Sequence, residues 1–151
     1  MHRAPSRTGA SLVLLVLLVG AVTFAAALAL SLAYPPDALR AERDGRRMRD
    51  VTAILDALRA YEREEGEFPA AVPVGMQREI CGQDYPPASC AADNGVNLSL
   101  LRDAYLPAIP RDPLIPPTGT GTSYFIGRNA EGQVMITALD GEVAGPIRVV
   151  R

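Results

Sequence analysis

The side chains able to do chemistry are few. The single histidine, His2, lies in the N-terminal tail, so no Ser-His-Asp set can form in the body of the chain. Cys81 and Cys90 stand in a proline-rich stretch. Their spacing is not the C-x-x-C of a redox centre, and two sulfurs with no histidine nearby do not make a zinc site. The pair suits a disulfide in an oxidising compartment, worth roughly 2–3 kcal/mol for so short a loop. Carboxylates are plentiful, but Glu62, Glu64 and Glu65 fall on a predicted wet helix face. Gly119-Thr120-Gly121 lacks the motif and the strand context of a phosphate loop. No motif suggests a carboxylate-only hydrolase. The expectation is a protein that is not an enzyme, with no cofactor, no metal and no small-molecule substrate.

Charge points the same way. There is no lysine, and all 15 basic residues are arginine. All 17 carboxylates lie after position 36, against 13 arginines there, a net charge of −4. That balance argues against nucleic acid as a partner, since nucleic acid selects a basic face. Arg40, Arg43, Arg46, Arg47 and Arg49 form one local cluster. One reading is a solvated helix face. The sharper reading is contact with anionic lipid headgroups, at about 1 kcal/mol per residue near an anionic surface. Glu42 and Asp44 dilute that effect.

The headgroup reading arises from what precedes the cluster. Ser11 to Ala33 is a run of 23 residues without a charge, rich in Leu, Val and Ala. A membrane core about 30 Å thick takes roughly 20 apolar residues in a helix. A helix apolar on every face has no wet side, which argues against burial in a soluble core. Two fates stand for the run. It is either a retained anchor or a signal peptide, with Arg3 and Arg7 as its basic start and Ser31-Leu32-Ala33 before a new terminus at Tyr34. Its length exceeds the 7–15 residues typical of a signal peptide, so retention is the favoured expectation.

Orientation is contested within the sequence. Two arginines precede the span and five follow it closely, which by the positive-inside rule puts the domain in the cytoplasm. The cysteine pair pulls the other way, and an exported domain is favoured.

The elements that must position these residues follow the span. Tyr34-Pro35-Pro36 ends or kinks the membrane helix. Asp37 is suited to N-cap a second helix reaching about Glu65. There Met48, Val51, Leu55, Leu58 and Tyr61, with Ile54 beside them, make one apolar stripe at helical spacing. Glu42–Arg46 and Arg46–Asp50 are i,i+4 pairs on its wet side, each worth a few tenths of a kcal/mol. Gly66 stops the helix. Residues 69–96 carry four prolines and both cysteines without periodicity, and read as a disulfide-stapled loop. Asn97 can cap a short helix over Leu98 to Tyr105, and Asn97-Leu98-Ser99 also matches a glycosylation sequon. Leu106 to Pro113 reads as an extended, proline-fixed connection, and 116–121 as a turn-rich loop. Thr122 to Arg128 and Gln133 to Leu139 read as strands around a four-residue hairpin loop, Asn129 to Gly132. Asp140-Gly141 is a further turn signal. Ile147 to Val150 adds an edge strand entered through Pro146.

The expected fold class is therefore α+β. A basic tail (1–10) leads into a transmembrane helix (11–33). A soluble domain (37–151) follows, with helix 37–65, loop 69–96 and an antiparallel sheet within 122–150. A hairpin alone is not stable, so the helix stripe must cover one face of the sheet.

Two segments carry a family resemblance. Arg46-Arg47-Met48-Arg49-Asp50-Val51 through Leu55, Leu58, Tyr61, Gly66, Phe68 and Pro69 resembles an R-R-x-x-D … A-L-x-x-Y … G-x-[YF]-P pattern. Leu106-Pro107-Ala108-Ile109-Pro110-Arg111-Asp112-Pro113, followed by Gly119 to Phe125, resembles LP-x-IP-x-DP … G-T-x-Y-x-[YF]. In order and spacing these are similar to bacterial type IV pilin-like proteins, most closely to major pseudopilins of type II secretion, and they cover most of 40–140. The resemblance implies a pilin-like fold and a single-pass inner-membrane anchor with the domain periplasmic or extracellular. It implies other pilin-like subunits or secretion and pilus assembly proteins as partners, besides the lipid bilayer. The chain departs from the family at its N-terminus. Gly9 is followed by Ala10-Ser11-Leu12-Val13-Leu14, with Leu14 where the family has the glutamate that registers subunits, an assembly signal because an unpaired carboxylate in lipid is costly. Some such pseudopilins bind calcium near the last strands. Here Asp112 and Asp140 are the carboxylates of note there, fewer than the six to eight oxygens calcium takes, so no calcium site is expected. The implied function is structural. The alternative is a tethered or secreted binding module that reuses the fold without polymerising.

Overall fold

The computed structural model describes residues 7–33, 36–116 and 118–151. Arg3, the Tyr34-Pro35 break and Pro117 of the turn-rich loop lie outside the described residues. The chain divides into two units, Met1–Leu39 and Arg40–Arg151.

Helix α1 (Arg7–Ala33) holds the apolar run. Helix α2 (Pro36–Glu65) follows. Proline is well placed at a helix start, where its missing N–H has no intrahelical partner to lose. Asp37 therefore sits inside the first turn rather than at the cap, where its charge complements the helix dipole. At the other end Arg63 occupies the last turn. Gly66 stops the helix at φ +84°, its N–H donating to the Glu62 carbonyl at 2.9 Å. Only glycine takes that backbone conformation at no steric cost.

The sheet has four strands, not three. Strands β1 (Arg78–Cys81), β2 (Gly121–Arg128), β3 (Val134–Ala138) and β4 (Ile147–Val150) lie in that order, each antiparallel to its neighbour. β1 arises inside the stretch expected to be loop. A four-residue strand flanked by prolines shows no alternation in sequence, and its pairing is supplied from far along the chain by Phe125 and Ile126. Between Glu79–Phe125 and Cys81–Gly121 the register slips, and Ser123 adopts φ +58°. Three bonds stitch this bulge. The Thr122 hydroxyl donates to the Ile80 carbonyl (2.7 Å), the Ser123 N–H to Glu79 Oε1 (2.9 Å) and the Tyr124 N–H to Thr122 Oγ1 (3.2 Å).

A short helix, α3 (Pro87–Ala92), also falls in the expected loop. The helix expected over Leu98 to Tyr105 shrinks to one 3₁₀ turn, Ser99–Leu101. Asn97 Oδ1 accepts the Ser99 N–H at 2.8 Å, the local bond a capping asparagine makes. The β2–β3 hairpin is as its sequence suggests. Gly132 sits at φ +81°, and Asn129 Oδ1 accepts the Gln133 N–H at 2.8 Å.

One cluster forms the core of the second unit. Val51, Ile54, Leu55 and Leu58 from α2 pack with Ile80, Tyr124, Ile126, Val134, Ile136 and Ala138 from the sheet. Val96, Leu98, Leu101, Leu106 and Ile109 from the connecting segments complete it. Each Val, Leu or Ile among them contributes about 1.5–3 kcal/mol on full burial. Met48 is not part of this stripe and stands 45 % exposed. Its place is taken by Arg47, which is fully buried. Positions 47, 51, 54 and 58 share one helix face, whereas 48 lies about 100° round from 47.

Candidate functional site

Two features stand apart from ordinary packing: the surface of α1 and a charged cluster on the first half of α2. On α1 every described side chain from Ser11 to Leu32 is exposed. At about 1.5 Å per residue the helix is roughly 40 Å long, more than a bilayer core. It is long and apolar enough to cross a membrane. Two of its hydroxyls are satisfied within the helix. Thr23 Oγ1 donates to the Gly20 carbonyl and Ser31 Oγ to the Ala27 carbonyl, each at 3.0 Å. Internal satisfaction of this kind is what a lipid environment demands of a polar group.

The charged cluster centres on Arg47. Its Nε donates to Asp112 Oδ2 at 2.6 Å and its Nη2 to Asp112 Oδ1 at 3.1 Å, a bidentate fork. Nη1 donates to Asp44 Oδ1 at 2.8 Å and lies 3.5 Å from Glu142 Oε1. The side chains of Arg47 and Asp112 are 0 % and 1 % exposed. Arg43 pairs with Glu142 through its own fork, Nε donating to Oε1 at 3.0 Å and Nη2 to Oε2. The Asp44 carboxylate also accepts the Glu142 N–H (3.0 Å) and the Val143 N–H (2.9 Å). One turn of α2 thereby fastens the 106–113 connection, through Asp112, and the loop leading to β4, through Glu142 and Val143.

The electrostatics follow from these contacts. The hydrogen bond to Asp112 raises the Arg47 pKa, with burial opposing it. Burial works to raise Asp44, but the two backbone donors and Arg47 outweigh it, and the carboxyl ends below its ordinary value. Glu142 is lowered chiefly by its hydrogen bond from Arg43. Asp50 differs. Burial raises its pKa despite the Tyr124 hydroxyl donating to Oδ2 at 2.8 Å. Tyr124, fully buried, is itself raised, by burial first and by Asp50 second. At the far end of α2 the Tyr105 hydroxyl donates to Glu64 Oε2, and its pKa is pushed up to about 12 by that bond.

The five arginines expected at lipid headgroups therefore part company. Arg47 is removed from that role by burial and Arg43 is engaged by Glu142, because the loops carry carboxylates that meet them. Arg40, Arg46 and Arg49 are exposed, with Arg46 Nε 3.9 Å from Asp50 Oδ2. Asp112, weighed in sequence as a calcium ligand, is the partner of Arg47. The sequence did carry a signal of this: an arginine in helical register with Val51, Ile54 and Leu58 must find a buried counter-charge. Glu142 had no local signal, since its partner lies 99 residues away.

Cys81 and Cys90 form the expected disulfide, with Cα atoms 6.0 Å apart, joining β1 to α3. Cys90 is fully buried and Cys81 nearly so, and a Cβ on Gly95 would run into both sulfurs. The bond is largely buried, which suits a structural staple in an oxidising, non-cytoplasmic compartment. Among the described residues no group of three His, Cys, Asp or Glu side chains is placed to hold a metal ion.

No protein-family model, curated protein or solved structure matches this chain.

Proposed function

We propose that this chain is a membrane-anchored structural protein of pilin or pseudopilin type, acting through protein–protein contacts outside the cytoplasm. One observation carries the reading. An apolar helix long enough to span a bilayer is followed directly in sequence by a helix whose single stripe packs on a small antiparallel sheet. The shielded disulfide supports export. The two segments with the family pattern supply the parts that lock the domain: Arg47, Asp50 and Tyr61 from the first, Asp112 and Tyr124 from the second. Its partners are then the lipid bilayer of the inner membrane and other pilin-like subunits or assembly proteins, with Arg40, Arg46 and Arg49 as the exposed arginines of the cluster. Catalysis and nucleic-acid binding have no part in it.

A second reading is favoured by Leu14, which stands where the family keeps a glutamate. On that reading the chain is a tethered binding module that does not polymerise. Intact mass and N-terminal residue of the protein from native membranes separate the two. A chain starting at Ala10 that enters filaments supports the structural subunit. A start at Met1 or His2 with no filament supports the tethered module. A soluble chain starting at Tyr34 refutes the anchor in both.

A further inference from the structure

The two edges of the sheet are treated differently. Beyond β1, the chain at Val96 closes the edge: its N–H donates to the Glu79 carbonyl at 2.8 Å, and its carbonyl accepts the Cys81 N–H at 3.0 Å. Beyond β4, among the described residues, no strand or bridge is present. Arg151 exchanges both backbone bonds with Val134 (3.1 and 2.9 Å). Alternation along an antiparallel ladder then directs the backbone groups of Val149 and Ile147 at β3, and those of Arg148 and Val150 outward.

An edge strand is normally blunted by a charge held over it. Here Arg148 leans back across its own sheet, its Nε 3.4 Å from Thr137 Oγ1 on β3, a long hydrogen bond. On the strand itself Val150 is apolar and 43 % exposed, and the connection leading into β4 exposes Val143 at 64 % and Leu139 at 47 %.

We propose that the outer edge of β4 docks a second copy of this chain, β4 against β4, antiparallel, with Val149 opposite Val149 at the two-fold axis. The register follows from the charges. Pairing through the outward groups with Arg148 opposite Arg148 sets like charges directly across from each other, which destabilises a sheet. Centring on Val149 instead sets each Arg148 opposite a Val150 and each Ile147 opposite an Arg151, with no like pair. It also continues the core row of Ile147 and Val149, both half-buried at the rim of the core, from one sheet into the next. A two-fold contact of this kind is self-complementary and closes on itself. Two hydrogen-bonded pairs are a small contact, too small to offset the entropy of association in dilute solution. Two copies held in one bilayer meet at a much higher effective concentration. The pairing thus rests on the anchor in the preceding reading.

The test uses the full chain in vesicles of phosphatidylethanolamine and phosphatidylglycerol. Flotation reads the anchor and oxidative cross-linking reads the pairing. Residues opposite each other in a pair that makes no hydrogen bonds have Cα atoms about 4.5 Å apart, so Val149→Cys is expected to give a disulfide-linked dimer. Val150→Cys, two positions out of register with its own copy, is expected to give at least tenfold less. Val150→Lys added to Val149→Cys sets a lysine opposite Arg148 and is expected to cut the dimer at least tenfold. Val150→Glu in the same background is expected to keep it. Equal cross-linking at 149 and 150, or no effect of the lysine, overturns the proposal. Failure to float refutes the anchor whatever the gel shows. Flotation without the 149 dimer refutes the pairing alone.

Discussion

Replacing Arg47 by methionine tests the reasoning about the charged cluster most directly. Methionine keeps the length and fits the apolar surroundings supplied by Val51 and its neighbours, so packing is largely conserved. What is lost is the bidentate fork to Asp112, whose side chain is 1 % exposed. Asp112 would keep only the Leu114 N–H, at 2.9 Å. Breaking one side of a buried ion pair costs about 3–5 kcal/mol, because it strands the other charge. For a domain of this size that lowers the melting temperature by roughly 10–25 °C. The other carboxylates are not stranded: Asp44 retains two backbone donors and Glu142 retains Arg43. Removing the second charge as well should therefore recover most of the loss. Arg47→Met with Asp112→Leu is expected within about 2 kcal/mol of the parent, since buried pairs are often replaceable by apolar residues of similar volume. The assay is equilibrium denaturation of the full chain in detergent micelles, for the parent, both single variants and the double variant, as a double-mutant cycle. A cost below about 1 kcal/mol for Arg47→Met, or simple additivity of the two changes, refutes the account.

Two further outcomes are expected. Asp50→Asn keeps an acceptor for the Tyr124 hydroxyl while removing a charge that burial disfavours. Because the folded-state pKa of Asp50 is raised, its stabilising contribution is complete below the ordinary aspartate value of about 3.9 and is lost as pH rises through the raised value. Thermal melts should therefore show the variant gaining on the parent from about pH 4 upward; a gap that shrinks with rising pH contradicts this. Gly127→Ala would place a Cβ against the Met76 carbonyl, 2.9 Å from its carbon and 3.2 Å from Gln77 Cα. The backbone of the 73–77 segment must move, at a cost of about 1–3 kcal/mol, and an unchanged melting temperature means that this close approach is not present.

Wherever one element carried its own periodicity or turn chemistry, the residues alone sufficed. The uncharged run from Ser11, the stripe of Val51, Ile54, Leu55 and Leu58, the stop at Gly66, the Asn129–Gly132 hairpin and the Cys81–Cys90 pair are all local patterns. Each works through forces acting within a few residues or between two sulfurs. Tertiary structure decided what local pattern cannot encode. β1 became a strand because Phe125 and Ile126 offered it backbone partners more than 40 residues away. Arg47 and Met48 exchanged their expected places because a guanidinium is worth burying only where carboxylates converge on it. Asp112 and Glu142 arrive 65 and 99 residues later in the chain than the arginines they fork. The identity of a buried charge's partner is a property of the assembled fold, since the cost of burial is set by the whole environment and not by the neighbours in sequence.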